Sequence, residues 1–61
     1  MGRDIMNNLV KALINSYTVL IMANKKTLEE VPETYTLGGE NYNLRELVEI
    51  EIAERTINIL T

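Results

Sequence analysis

The sequence predicts a mainly α-helical protein: two amphipathic helices joined by a short helical turn and a small β-hairpin, completed as a dimer or higher oligomer. Apolar residues recur with helical period in both halves. Between them, TYTLGGENYN places a Gly-Gly pair between two short runs typical of strands. A chain of 61 residues is short for a self-sufficient core. We therefore expect one small domain over residues 1–61 that gains core by association.

The composition offers neither a disulfide nor a thiolate metal site to stabilise so short a chain. The chain has no Cys and no His, so it also lacks an imidazole for metal binding or general-base catalysis. An apolar fraction of 46% is ordinary for a globular protein. We expect no cofactor and no metal, and oligomerisation remains as the means of enlarging the core.

The net charge of −3 conceals a split along the chain. Residues 1–28 carry four basic side chains against Asp4 alone, whereas eight glutamates and two arginines follow from Glu29 onward. The two parts can attract each other within or between chains. No cluster of Lys and Arg suits phosphate binding, which disfavours nucleic acid. Since no segment is apolar enough to span a membrane and none resembles a signal peptide, we predict a soluble cytoplasmic protein.

The segment DIMNNLVKALINSYTVLIMANKK predicts an amphipathic helix over about residues 5–24. At about 100° per residue, its apolar side chains fall within an arc of roughly 140°: Met6, Leu9, Val10, Leu13, Ile14, Tyr17, Leu20 and Ile21. The polar side chains opposite are Asn7, Asn8, Lys11, Asn15 and Thr18.

Further signals concern the ends and the outer side of this helix. Asp4 suits the N-cap, and Lys25 follows at the negative end of the helix dipole. Val19 and Met22 fall on the otherwise polar side, where a second contact would cover them. A membrane-surface role is disfavoured because the polar face has few Lys and Arg.

KTLEEVPE predicts a helical turn over residues 28–31. Thr27 and Glu30 have the spacing of a capping box. Pro32 ends the turn and moves Val31 away from helical angles. Leu28 and Val31 are the expected apolar anchors.

TYTLGGENYN predicts a hairpin over about residues 34–42 closed by Gly38 and Gly39, because glycine adopts positive φ most easily. Tight pairing sets Leu37 opposite Glu40 and Tyr35 opposite Tyr42. Alternation then puts both tyrosines and Leu37 on one face, and Thr36 with Asn41 on the other. The tyrosine face either rests on a helix or meets a second hairpin across an interface. A phosphate-cradling loop is disfavoured, since no Lys, Ser or Thr has the required spacing.

NLRELVEIEIAERTINILT predicts a helix over about residues 44–60, with a capping signature at Asn43 and Glu46. Arg45 with Glu49, and Glu51 with Arg55, are spaced for exposed i, i+4 pairs. One apolar stripe comprises Leu44, Val48, Ile52 and Ile59; a second, on roughly the opposite side, comprises Ile50, Ala53, Ile57 and Leu60.

Two apolar faces need two partners, and the first helix supplies only one. A neighbouring subunit is the expected second partner. The predicted interface residues are Ile50, Ala53, Ile57 and Leu60, with Tyr35 and Tyr42 from the hairpin. The alternative is a strand, because residues 48–52 alternate with period two.

Four glutamates of this segment form the densest set of carboxylates: Glu46, Glu49, Glu51 and Glu54. On a helix they form two pairs that point to different sides, and no Asp, Asn or His completes a metal shell. The tyrosines have no accompanying pair of nucleophile and base. We therefore predict no catalytic residue and no enzyme.

The segment that spans the end of the first helix and the turn resembles short uncharacterised proteins encoded by phages and prophages of Gram-positive bacteria, often near tail genes. The residues that carry the resemblance cover about a third of the chain: Tyr17, Leu20, Ile21, Lys25, Lys26, Thr27, Leu28, Val31 and Pro32. The hairpin and the long C-terminal helix depart from the shorter family pattern. The resemblance implies a phage-derived accessory protein and assigns no activity.

The sequence thus favours a small non-enzymatic oligomeric protein that binds itself and another protein, of the accessory or assembly kind. One alternative is a small transcriptional or nucleic-acid-linked regulator with an oligomeric helical core, for which salt-sensitive binding of duplex DNA would be the sign. A metal-dependent enzyme would require metal retained in stoichiometric amount.

Overall fold

A computed structural model describes the backbone of residues 2–60 and the side chains of residues 8–60. Along the chain, one turn of 3₁₀ helix and a two-stranded antiparallel hairpin lie between two α-helices. In chain order the elements are α1 (Gly2–Met22), the 3₁₀ turn (Leu28–Glu30), β1 (Tyr35–Leu37), β2 (Glu40–Tyr42) and α2 (Leu44–Leu60). The predicted mainly helical fold with a small hairpin is confirmed.

Helix α1 starts and ends earlier than its sequence pattern indicates. It already includes Asp4, so the prediction of Asp4 as N-cap is wrong. It ends at Met22 because Asn24 adopts left-handed backbone, with φ of 60°. The amide of Asn24 donates to the carbonyl oxygen of Ile21 at 3.0 Å, and the amide of Lys25 donates to that of Leu20 at 2.8 Å. These two hydrogen bonds form a Schellman motif, which satisfies carbonyls at the helix end.

The buried face of α1 is rotated relative to the predicted arc. Leu9, at one edge of that arc, is 52% exposed, whereas Thr18, beyond the other edge, is fully buried. The hydroxyl of Thr18 donates to the carbonyl oxygen of Ile14 at 2.6 Å. Because this hydrogen bond satisfies the hydroxyl inside the helix, the polar side chain can face the core. The side chains of Met6 and Asn7 lie outside the described residues.

Three segments meet at the core. Val31 from the loop and Leu44 with Val48 from α2 are almost completely inaccessible to solvent. Partly buried side chains from every element except β2 pack around them: Leu13, Ile14, Tyr17, Ile21, Leu28, Tyr35 and Ile52. The prediction that Leu28 and Val31 anchor the turn is confirmed, although the turn itself ends at Glu30.

The two helices run antiparallel. Leu44, at the start of α2, belongs to the cluster that Ile21, near the end of α1, packs against. Arg55, in the second half of α2, reaches back to Asn15 in the middle of α1. The loop that contains the 3₁₀ turn and the hairpin therefore reverses the chain.

The hairpin has the predicted register: Tyr35 pairs with Tyr42, and Leu37 pairs with Glu40. Thr36 and Asn41 lie on the exposed face, where the threonine hydroxyl donates to the Asn41 side-chain oxygen at 3.0 Å. Tyr35 packs against the core of its own chain. The hairpin therefore rests on the helical core, the first of the two arrangements that the sequence allows.

Helix α2 begins directly after Asn43, and the amide of Leu47 donates to the carbonyl oxygen of Asn43 at 3.0 Å. Glu46 lies in the first turn, where a carboxylate interacts favourably with the helix dipole. The helix continues without a break through residues 48–52. The alternative of a strand over these residues is therefore wrong.

The turn of the hairpin allows a first test. Gly38 and Gly39 have φ of 60° and 83°, and a Cβ added at Gly39 would meet no atom within 4 Å. Any penalty at Gly39 thus comes from the backbone angle rather than from a clash. Replacing both glycines with Val should lower the free energy of unfolding by at least about 1 kcal/mol, because β-branched residues resist positive φ. Urea unfolding measures this change, and a double variant of unchanged stability would contradict it.

Candidate functional site

The four interface residues predicted on α2 lie on one exposed surface, which we call the α2 outer face: Ile50, Ala53, Ile57 and Leu60. Ile50 is 49% exposed, Ile57 is 59% exposed and Leu60 is 79% exposed. The opposite side of the helix carries the buried Leu44 and Val48. Ile59, assigned by its spacing to that buried side, is also largely exposed.

Carboxylates border the α2 outer face. Glu46 lies in the same row as these residues, one turn closer to the start of the helix. Glu49 and Glu54 lie on either side of the row, since each residue advances about 100° around the axis. All three are exposed. The two arginines of α2 do not join this border, because their side chains contact other parts of the same chain.

Arg45 connects the start of α2 to the loop. Its Nε donates to the carbonyl oxygen of Val31 at 3.0 Å, and its Nη2 donates to that of Glu29 at 3.2 Å. Its Nη1 lies 3.6 Å from a carboxylate oxygen of Glu33. The predicted pair with Glu49 is therefore wrong, because the guanidinium satisfies loop carbonyls instead.

Arg55 connects α2 to α1. Its Nε donates to a carboxylate oxygen of Glu51 at 2.8 Å, which confirms the predicted i, i+4 pair. Its Nη2 also donates to the side-chain oxygen of Asn15 at 2.6 Å. This second contact joins residues 40 positions apart, so sequence spacing could not indicate it.

A capped turn positions the loop that Arg45 holds. The carboxylate of Glu30 accepts hydrogen bonds from the Thr27 amide at 2.8 Å and from the Thr27 hydroxyl at 3.2 Å, which confirms the predicted reach of Glu30 back to Thr27. These bonds, first from the amide and then from the hydroxyl, lower the pKa of Glu30, and nearby Lys26 lowers it further. The ionised carboxylate is therefore the form that caps the turn.

Sequence reasoning indicated Val19 and Met22 as apolar residues on the outer side of α1, and Val19 belongs to a second exposed apolar surface that lies along this helix. We call it the α1 outer face, and its residues are Leu9, Ala12, Ser16, Val19 and Ala23. Val19 is 51% exposed, so the chain itself does not make the second contact that was expected to cover it. The signal that could have revealed this face is the 3-4-3-4 spacing, but small Ala and Ser residues weaken it when apolar residues are counted.

The tyrosines predicted as interface residues lie elsewhere. Tyr35 and Tyr42 are cross-strand neighbours on the hairpin and are both half-buried. Since Tyr35 packs against the core, its ring stabilises the position of the hairpin. The structure thus brings the four α2 residues together and places the tyrosines in a separate element.

The grooves on the described part of the surface are shallow and open to solvent. One of about 300 Å³ is lined by Glu33, Glu46 and Glu49 beside Arg45. Among the residues described, no group of three or more acidic, His or Cys side chains is arranged to hold a metal ion. Neither helix, over its described residues, has the length and apolar character needed to cross a membrane. Comparison with protein family models, curated proteins and solved structures gives no match for this chain.

The cap at Glu30 predicts a pH dependence of stability. Because the folded-state pKa lies below the ordinary value of 4.5, the cap stabilises the protein above that pH and is lost as the pH falls through the folded-state pKa. The urea midpoint of wild type should therefore fall more between pH 7 and pH 3 than that of Glu30→Gln. Glu29→Gln removes the same charge but keeps the cap, and serves as control. Equal pH dependence of wild type and Glu30→Gln would contradict the assignment.

The connection made by Arg45 predicts a loss of stability on truncation. Arg45→Met keeps most of the aliphatic stem but leaves two loop carbonyls without their donor, which should cost about 1–3 kcal/mol. Glu33→Gln removes only the exposed ion pair and should cost less than about 0.5 kcal/mol. Chemical denaturation of both variants tests this order, and the reverse order would show that the ion pair holds the loop.

Proposed function

We propose that this protein is a small non-enzymatic interaction module that associates with itself through the α2 outer face. The observation that carries the proposal is the exposure of Ile50, Ile57 and Leu60 in a row on one side of a helix whose other side forms the core. Contiguous exposed apolar residues mark protein-interaction surfaces. A chain this short also has little core of its own to stabilise it.

The exposed side chains supply a driving force of useful size. Complete burial of an Ile or Leu side chain stabilises by about 1.5–3 kcal/mol. The three large residues of the α2 outer face retain about half or more of their exposure. Covering them would therefore contribute ~1–2 kcal/mol each. Association at micromolar concentration needs about 8 kcal/mol in total, so contacts by both copies must contribute.

The side chains available support a binding role rather than catalysis. Without His or Cys, a nucleophile would have to be activated by a carboxylate, Lys or Tyr. The glutamates of α2 instead border the α2 outer face or, in the case of Glu51, bind Arg55. In this proposal they confer solubility and charge selectivity on an interface.

The resemblance of the segment from Tyr17 to Pro32 to phage-encoded proteins supports an accessory or assembly role, in which a small protein acts by binding its own copies and another protein. The alternative of a nucleic-acid-linked regulator has less support. Both the net charge of −3 and the glutamates around the α2 outer face oppose contact with phosphates.

Substitution on the two sides of α2 tests self-association. Ile57→Glu would place a charge in the interface, at a cost of several kcal/mol, and should shift the protein from oligomer toward monomer with loss of helicity. Val48→Glu would place the charge in the core of the protomer and should unfold it at every concentration. Light scattering and circular dichroism on dilution measure both effects. Wild-type protein that is monomeric and fully folded at micromolar concentration would refute the proposal.

A further inference from the structure

The α1 outer face has an unusual lack of charge. Its five residues are all exposed, yet no charged residue occurs anywhere between Lys11 and Lys25. The solvent side of a surface helix normally carries charged residues. The spacing of this face, from Leu9 to Ala23, alternates between three and four residues. That spacing is the one at which helices pack side by side along a continuous seam.

The α2 outer face has the matching spacing in the opposite direction. Glu46 precedes the four residues of this face in the same row. Counted from Glu46, successive residues of the row are four, three, four and three positions apart. Aligned antiparallel, the two faces pair residue by residue along their whole length: Leu9 with Leu60, Ala12 with Ile57, Ser16 with Ala53, Val19 with Ile50, and Ala23 with Glu46. Most of these pairs join an aliphatic residue to a small or aliphatic one. Such pairs can interdigitate at close helix separation.

We propose that the α2 outer face of one copy binds the α1 outer face of a second copy in this antiparallel register. The proposal rests on the self-association proposed above and identifies the surface that receives the α2 outer face. Its orientation is the same as that of α1 and α2 within one chain. Each copy would thus extend a layer of alternating α1 and α2 helices.

Charge complementarity selects this pairing. Residues 8–28 contain Lys11, Lys25 and Lys26 and no acidic residue. The antiparallel register brings the two lysines that follow α1 close to Glu46 and Glu49 at the start of α2 in the second copy. Pairing of α2 with α2 would instead bring two glutamate borders together, since the guanidinium of Arg55 binds within its own chain. Opposite charges favour the first pairing, and like charges oppose the second.

The position of the two faces determines the type of assembly. Each outer face lies opposite the side of its helix that packs against the other helix of the same chain. The α1 and α2 outer faces therefore point away from each other, and one neighbour cannot occupy both. The contact is head-to-tail, which produces either a closed ring or an open chain rather than a two-fold dimer.

Mixing two blocked variants tests the head-to-tail contact. Val19→Glu blocks the α1 outer face and Ile57→Glu blocks the α2 outer face, while each leaves the other face intact. Each variant alone should sediment as a 7.0 kDa monomer. An equimolar mixture should form a dimer of one copy of each and nothing larger, because only one complementary pair of faces remains.

The outcomes of this experiment separate the inference from the proposed function. Val19→Glu that associates as strongly as wild type, while Ile57→Glu is monomeric, would overturn the head-to-tail contact and leave self-association through α2 standing. Monomeric wild type would refute self-association itself. Recovery of helicity on mixing would support the inference even if each variant is poorly folded alone.

Cysteine pairing provides a test without destabilising charges, because the chain has no native Cys. The proposed register places Ser16 of one copy beside Ala53 of the next. A disulfide requires the two Cα atoms to lie within roughly 4.4–6.8 Å, a distance that only a close pair of small residues allows. Oxidation of a mixture of Ser16→Cys and Ala53→Cys should therefore yield the mixed cross-linked dimer in excess over either self-linked dimer. Dominant self-linking of Ala53→Cys would indicate pairing of α2 with α2 and overturn the inference.

Discussion

The structure depends on a small core shared by three segments. Val31 is contributed by a loop, and Leu44 with Val48 by α2. Helix α1 adds half-buried side chains together with the buried Val10 and Thr18. Because the loop contributes one of the most buried residues, its conformation is as necessary as the helices. The cap at Thr27 and the left-handed Asn24 fix the two ends of the connection from α1 to the 3₁₀ turn. Local backbone geometry thus decides whether Val31 reaches the core.

The two arginines of α2 link stability to surface charge. Arg45 holds the loop carbonyls and Arg55 holds Asn15 of α1, so both guanidinium groups are directed toward the protein's own chain. The glutamates of α2, apart from Glu51, are left at the solvent side. The contacts that hold the fold together therefore also make the border of the α2 outer face acidic. An interface on this helix consequently prefers a neutral or basic surface.

Features set by neighbouring residues could be predicted from sequence. The hairpin register follows from Gly38 and Gly39, and the turn from Thr27 and Glu30, since both involve residues at most a few positions apart. The rotation of the buried face of α1 toward Thr18 could not be predicted from sequence. It depends on where α2 lies and on the hydrogen bond of the Thr18 hydroxyl within its own helix. Sequence spacing also paired Arg45 with Glu49 wrongly, because the loop carbonyls that its guanidinium binds lie 14 and 16 positions away in the chain. The α2 outer face was predictable because it consists mainly of large apolar residues, whereas the α1 outer face is built largely of small ones.

The head-to-tail layer that we propose would cover the apolar side that each helix leaves exposed. In an open chain of copies, the first and last each leave one outer face in water, whereas a closed ring leaves none. Apolar burial therefore favours closure. Closure also requires the rotation between successive copies to sum to a full turn, and packed helices cross at a small angle of about 20° in this type of packing. In the proposed assembly, the small residues Ala12 and Ser16 of the α1 outer face would let the backbones approach closely and so influence that angle. In the proposed assembly, side-chain size along this seam would therefore affect how many copies close the ring.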